Sequence, residues 1–236
     1  MTAPRLRVAT WNVHSCIGSD GRHSPGRVRR LARAIEADIM ALQEVDSRVN
    51  GRDGFEELGT ALGPASAHCR TLRTPDGDYG HMLLSRWPIA RWDIHDISVR
   101  GREPRSVIDG IIETGSGQVR VLSTHLGLGQ RERIRQVAMI ADLLGDPATA
   151  TILLGDFNEA TGFGPASRVF GRLLESVGRW RTFPAQRPLL PLDRIWCAPP
   201  VTAERSWVMP EVRHASDHLP LVADLLWPPG SCRNPS

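Results

Sequence analysis

The chain has 236 residues, 41% of them hydrophobic, which is enough for one large α/β domain with its own core. Its formal net charge is +3 and every basic residue is arginine, so Schiff-base lysine chemistry and a lysine-bearing phosphate loop are both excluded. The mild positive balance suits an anionic substrate.

Residues 6–13 alternate and read as a first strand that ends beside Asn12. Ser24-Pro25 reads as a helix cap followed by proline at the first helical position, and Val28, Leu31, Ala32 and Ile35 then recur at helical spacing. Residues 38–42 form a short apolar strand with Gln43-Glu44 at its end, and 55–62 a second short helix. Strands are predicted at 79–85, 94–99, 105–113 and 118–124, the last ending at His125. Residues 132–144 read as an amphipathic helix with Ile134, Val137, Ala138, Ile140 and Ala141 inward. A strand at 151–154 leads into Gly155-Asp156-Phe157-Asn158; a short helix follows at 167–174, a proline-rich segment at 183–191 precedes Leu192-Asp193-Arg194-Ile195-Trp196, and strands at 201–208 and 219–226 close the order. Most of the tryptophans stand next to strands or prolines and are expected in the core. Residues 1–228 are expected to form one domain and 229–236 a frayed tail. Strands outnumber helices without strict βαβ alternation, which points to mixed sheets stacked with helices outside.

Cys16, Cys69, Cys197 and Cys232 lie far apart with no C-x-x-C spacing, against a structural zinc site or a disulfide-stapled module. No apolar run has the character of a signal peptide or a membrane span, so a cytoplasmic protein without a stable membrane anchor is expected. Nothing in the sequence speaks to oligomeric state.

One feature recurs. Asn12, Glu44, His125, Asp156 with Asn158, Asp193, and Asp217 with His218 each sit beside an apolar run. Singly, each has a local reading: a turn residue, an exposed glutamate, a sheet-edge histidine, a surface ion pair. Jointly, at strand ends that can converge on one rim, they match what a hard divalent cation and a phosphate ester require. Magnesium takes oxygen ligands, usually one or two carboxylates with waters and substrate oxygens. In-line attack on phosphorus needs an oriented water and neutralisation of the phosphoryl oxygens.

The motifs Thr10-Trp11-Asn12-Val13, Leu42-Gln43-Glu44-Val45-Asp46, Gly80-His81-Met82-Leu83-Leu84-Ser85-Arg86, Ser123-Thr124-His125-Leu126, Gly155-Asp156-Phe157-Asn158, Leu192-Asp193-Arg194-Ile195 and Ser216-Asp217-His218-Leu219-Pro220 resemble those of the endonuclease/exonuclease/phosphatase superfamily. The resemblance runs nearly from end to end. It implies a four-layer α/β sandwich of the deoxyribonuclease I type, two stacked mixed β-sheets flanked by helices. It also implies a metal-dependent phosphoric ester hydrolase using Mg²⁺ or Mn²⁺. Glu44 and Asn12 would hold the metal, with Asp217 on the metal side. Asp156 would orient the attacking water, Asn158 and His125 would hold the phosphate, and Asp193 would pair with His218. Arg105, in Arg102-Glu103-Pro104-Arg105, would aim a charged fork at the phosphate, against the alternative of a surface arginine.

Departures bear on the substrate. Apurinic endonucleases carry Tyr where His125 stands and Asp where His14 stands, and they use lysines absent here, so abasic-site repair is disfavoured. His81 replaces an Asn common in relatives. The expected substrate is a phosphate ester, diester or monoester, of a lipid headgroup, nucleotide or nucleic acid. A DNA or RNA nuclease is the alternative within the class, disfavoured by the absence of an interleaved basic–aromatic patch. A non-catalytic scaffold is the alternative outside it.

Overall fold

Alternation in the first strand sets the architecture. In β1 (Arg5–Asn12), Leu6 and Val8 face one side, Ala9 and Trp11 the other, and all are buried. Both faces of this strand are therefore covered, and the sheet must lie between two apolar layers. The computed structural model describes residues 4–49, 53–145 and 150–227. In it, β1 pairs in parallel with β2 (Ile39–Asp46) and antiparallel with β12 (Leu221–Leu226). β4 (Gly77–Ser85), β3 (Ala65–Thr74) and β11 (Thr202–Val208) complete a six-stranded sheet in the order β11-β12-β1-β2-β4-β3.

The second sheet repeats the plan. β7 (Gly117–His125) and β8 (Thr151–Asp156) form its central parallel pair. β5 (Ile89–Asp96), β6 (Ser106–Thr114), β9 (Glu175–Ser176) and β10 (Asp193–Cys197) give the order β5-β6-β7-β8-β10-β9. Val8, Ile39, Leu83, Ile108, Val121, Leu154, Ile195 and Ala223 meet in the layer between the sheets. α1 (Pro25–Ala34) and α2 (Gly54–Gly59) cover the outer face of the first sheet through Val28, Ala32 and Leu58. α3 (Gln130–Leu144) and α4 (Pro165–Leu173) cover that of the second through Val137, Ile140 and Phe170, with Phe157 and Trp196 ring-to-edge beneath them, 4.5 Å apart. The result is the four-layer sandwich expected, two stacked mixed sheets with helices outside.

Several local expectations are corrected. β3 was not anticipated: its inward residues Ala65, Ala67 and Cys69 are small, so the strand carries little apolar signal. α2 spans only Gly54–Gly59 and is capped by Asp53, whose carboxylate accepts the Phe55 and Glu56 amide hydrogens. Pro25 does start α1, but the Ser24 side chain makes no capping bond. In α3, Ile134 and Ala138 face solvent while Glu132 and Gln136 are buried. The reason is local: Glu132 accepts the Gly129 N–H and Gln136 the Gly127 N–H, so two polar side chains tie down the turn after β7. Trp11, Trp196 and Trp227 are core residues, but Trp92 and Trp180 are 40% and 39% exposed. Cys16, Cys69 and Cys197 are free and buried; Cys232 and the tail expected at 229–236 lie outside the described residues. No helix among the described residues is long and apolar enough to cross a membrane.

Gly155 of β8 stands opposite Thr124 of β7. Its φ is +153, and a Cβ there would stand 2.0 Å from the Thr124 carbonyl oxygen. Gly155→Ala is expected to destabilise the fold by about 1–3 kcal/mol through strain alone, with more from the backbone clash. Denaturant unfolding of the variant checks this; an unchanged midpoint would mean that the β7–β8 pairing tolerates a side chain there.

Candidate functional site

The period of two that builds the inter-sheet core also delivers the polar residues to its end. Leu6 and Val8 of β1 face the other sheet, so Asn12 does too. In β7, Val119 and Val121 lead to Ser123 and His125 on the same face. In β8, Ile152 and Leu154 lead to Asp156; in the antiparallel β10, Cys197 and Ile195 lead back to Asp193. Registers align the second sheet's residues in a row: His125 is opposite Asp156, and Asp156 opposite Asp193. Glu44 has the wrong parity, since Ile39 and Ala41 face inward on β2. Two irregularities correct it: the β2–β4 register shifts between Leu42 and Val45, and Glu44 itself has φ +57.

The side chains then meet. Asn12 Nδ2 donates to Glu44 Oε1 at 2.8 Å and to Asp156 Oδ2 at 3.0 Å, joining the sheets through one amide. Its Oδ1 accepts the His14 N–H at 3.0 Å. Asp156 Oδ1 accepts the Asn158 N–H at 2.8 Å. Asn158, at φ +48, turns its Nδ2 onto the Leu126 carbonyl at 2.8 Å. His218 Nδ1 lies 2.8 Å from Asp193 Oδ2 and its Nε2 3.8 Å from Asp156 Oδ2. His125 Nε2 stands 3.7 Å from Asp156 Oδ2 and 3.9 Å from Glu44 Oε1. The 216–218 segment is held to β1 by Ser216 Oγ donating to the Asn12 carbonyl at 2.7 Å and Trp11 Nε1 donating to the His218 carbonyl at 3.0 Å. Asp217 pairs with His14, Oδ2 to Nδ1, at 3.0 Å.

Electrostatics differentiate these groups. Burial pushes the Asp156 carboxyl up to about 6, although His218 and the Asn12 amide pull the other way. Burial opposes charge on His218, but Asp193 and then Asp156 overcome it and hold the imidazole up to about 10. His125 is driven the other way, well below its ordinary value, by burial and then by Arg105. One histidine is thus a cation and the other neutral at the same carboxylate. A hydrogen bond to Asp217 raises His14.

Arg105 is no surface residue: it is 6% exposed, with Nη1 donating to Glu103 at 2.7 Å and its Nε among the buried groups without a partner. It borders a cavity of about 10 Å³ with Tyr79, His81 and His125, room for about one water. His81 Nε2 lies 2.9 Å from Ser106 Oγ, and its Nδ1, also without a partner, is buried at the same cavity. All the sequence-predicted site residues therefore gather at one end of the sandwich, with Arg105 joined to them through the cavity at His125. Phe183, whose ring lies 4.9 Å from that of His218, carried no sequence signal. Nor did the Leu126 carbonyl, since backbone acceptors leave no trace in residue type.

Two side-chain sets could take a cation. Asp156, Asp193 and His218 bring ligand atoms within 4.8 Å of one another. There, however, His218 is already hydrogen-bonded to Asp193 and held protonated, which disfavours it as a ligand. Glu44 and Asp217 are the more open carboxylates, with side chains 25% and 38% exposed, and Asn12 stands beside Glu44 with its Oδ1 on the His14 N–H. Carboxylate oxygens open to water suit a hard divalent ion.

The profile of the Endonuclease/Exonuclease/phosphatase family matches residues 9–218. The chain belongs to this family, whose members are hydrolases of phosphoester bonds and generally use a divalent metal. It is 32% identical to YbhP of Escherichia coli (strain K12), itself uncharacterised, over 93% of this chain and 96% of that one. Among solved structures it is similar to an endonuclease/exonuclease/phosphatase from Beutenbergia cavernae DSM 12333 (TM-score 0.79, 21% identity, 94% of this chain and 71% of that one). A mannosyl-6-phosphatase from Bacteroides thetaiotaomicron VPI-5482 shares the fold at TM-score 0.74 and 18% identity, over 94% and 100% of the two chains.

His81 gives a test of the buried electrostatics. Burial, then Arg105, lowers its pKa from 6.5 to about 3. Between those values the unfolded chain binds the extra proton, so stability rises with pH across the window and is lost as pH falls below 6.5. The loss through this group is about 1.4 kcal/mol per pH unit. Urea unfolding at about pH 7 and pH 5 should show a smaller loss for His81→Asn than for the wild type; equal losses would show that the ring is not held neutral.

Proposed function

We propose that the protein is a divalent-metal-dependent phosphoesterase that cleaves a phosphodiester or phosphomonoester by in-line attack of water. The observation that carries this reading is the Asn12 amide shared by Glu44 and Asp156, beside the Asp193–His218 pair. It supports the reading because Asp156, able to accept a water proton, the cationic His218 and the open carboxylate Glu44 share one polar layer.

Asp156 is the group that orients the water and accepts its proton. A carboxyl held near 6 is ionised at neutral pH yet more basic than an ordinary aspartate. The new bond forms between the water oxygen and phosphorus, and the ester oxygen departs with the electron pair of the broken bond. His218, held as a cation by Asp193, donates to a phosphoryl oxygen and meets the charge that grows there. His125, neutral, supplies a second ring donor or acceptor on the other side of Asp156. Asn158 spends one amide hydrogen on Leu126 and has a second for the phosphate. Arg105 adds a permanently charged fork behind His125. Glu44, Asn12 and Asp217 would hold Mg²⁺ or Mn²⁺, which when bound neutralises phosphoryl and leaving-oxygen charge. The ester's remaining portion is a nucleotide, a nucleic acid or a lipid headgroup.

Asp156→Asn and His218→Ala are each expected to lower kcat on bis-p-nitrophenyl phosphate with Mn²⁺ by about a hundredfold or more. EDTA should abolish turnover in the wild type. Either variant retaining full activity would overturn the assignment of that residue, and EDTA-resistant turnover would overturn the metal requirement.

A further inference from the structure

Three segments leave the site end of the second sheet: 126–135 after β7, 158–164 after β8 and 178–191 before β10. Their roots are His125, Asp156 and Asp193, so they border the site. They are tied together through the Leu126 N–H to the Asp156 carbonyl at 2.9 Å, the Phe157 N–H to the Leu192 carbonyl at 2.9 Å, and Arg179 to the Ala160 carbonyl at 3.4 Å.

These segments carry large apolar side chains into solvent. Phe163 is 84% exposed, Leu128 77%, Leu189 53%, Ile134 49%, Trp180 39% and Leu190 38%. Single exposed apolar residues are ordinary. A set of them on segments rooted beside one site is a feature of interaction surfaces. Charge on the same segments has one sign. Arg131, Arg135, Arg179, Arg181 and Arg187 are exposed. The only acids in these segments, Glu132 and Glu159, are buried at 6% and 2%. Both carboxylates are consumed inside: Glu132 takes the Gly129 N–H and the Gln136 amide, and Glu159 takes the Ala166 and Ser167 N–H groups. The outward charge of the rim is therefore positive, with leucine, isoleucine and phenylalanine among the arginines.

We propose that this rim seats the protein on an anionic phospholipid surface, so that the ester entering the site is one presented at the membrane face. Arginine near anionic headgroups and apolar side chains reaching the acyl boundary are the two contributions that hold peripheral proteins there. Nucleic acid is the other polyanion, but bases stack on aromatic faces, and of the exposed apolar rim residues Phe163 and Trp180 are aromatic while Leu128, Ile134, Leu189 and Leu190 are aliphatic, the kind of side chain that suits an acyl boundary. The choice of substrate class rests on the phosphoesterase reading; the surface itself does not.

The test is co-sedimentation of the full chain with vesicles of phosphatidylcholine alone and of phosphatidylcholine mixed with phosphatidylglycerol. The variants are Leu128→Ser/Phe163→Ser/Leu189→Ser and Arg181→Gln/Arg187→Gln. None of these residues is placed in the catalytic or metal-binding set, so turnover of bis-p-nitrophenyl phosphate in solution serves as the check on folding. The wild type is expected to sediment with the mixed vesicles, less so at high salt, and each variant to bind about tenfold or more weakly with soluble turnover unchanged. No sedimentation with mixed vesicles, equal sedimentation with both kinds, or binding unaltered in the serine variant would overturn the proposal. Release from mixed vesicles by a single-stranded oligonucleotide, with tight retention of the oligonucleotide, would overturn it in favour of nucleic acid. Soluble turnover without sedimentation removes the docking alone; sedimentation without turnover of any ester supports the docking and removes the phosphoesterase reading.

Discussion

The Asn12 amide reaches two carboxylates on different sheets. Glu44 belongs to the first sheet and Asp156 to the second, and both accept from the same nitrogen at 2.8 and 3.0 Å. An uncharged donor between two carboxylates holds them near each other without neutralising either. This leaves an excess of negative charge at the end of the sandwich, and the rest of the site answers it. His218 takes a proton and His14 is raised toward doing so. Asp156 is itself raised, as a buried carboxylate among other acids should be. A cation of charge two bound at Glu44 would complete the same compensation, which is why the open carboxylates and the buried Asp156 belong together.

The scaffold explains how so many polar groups are tolerated together. Below the site the inter-sheet layer is aliphatic, and above it the same faces turn polar one register step at a time: Thr10 and Gln43 bond to each other before Asn12 and Glu44 are reached. Buried polar groups are costly unless partnered, and here nearly every one has a partner from the opposite sheet or a neighbouring loop. The exceptions among the described residues are scattered, from His68 Nδ1 and Arg70 Nε to Trp227 Nε1, but three of them belong to the site end. His81 Nδ1, Arg105 Nε and Asp193 Oδ1 are buried without a partner. Beside a site, a buried group without a protein partner is open to a bond from substrate, ion or water.

Much of this was legible before any coordinates. Asn12, His125, Asp156 and Asp193 continue the inward parity of their strands, so alternation alone aims them into one layer. Glu44 breaks the parity; only a bulge and a left-handed backbone bring it round, and no local propensity announces that. β3 escaped notice because alanine and cysteine face the core where valine or isoleucine would have marked it. The buried face of α3 was misread because its glutamate and glutamine serve the turn that carries Leu126 and Gly127, a tertiary demand that overrides amphipathic pattern. Arg105 could be assigned to the site end only by resemblance, since an arginine after a proline has no intrinsic reason to be buried.

Metal binding separates the two side-chain sets that could hold a cation, and it does so without a substrate. Isothermal titration of Mn²⁺ into the wild type, Glu44→Gln and Asp193→Asn is the most direct measurement. The account predicts that Glu44→Gln loses binding while Asp193→Asn largely keeps it, because Asp193 serves His218. Binding retained in Glu44→Gln and lost in Asp193→Asn would put the ion among Asp156, Asp193 and His218 and contradict the account.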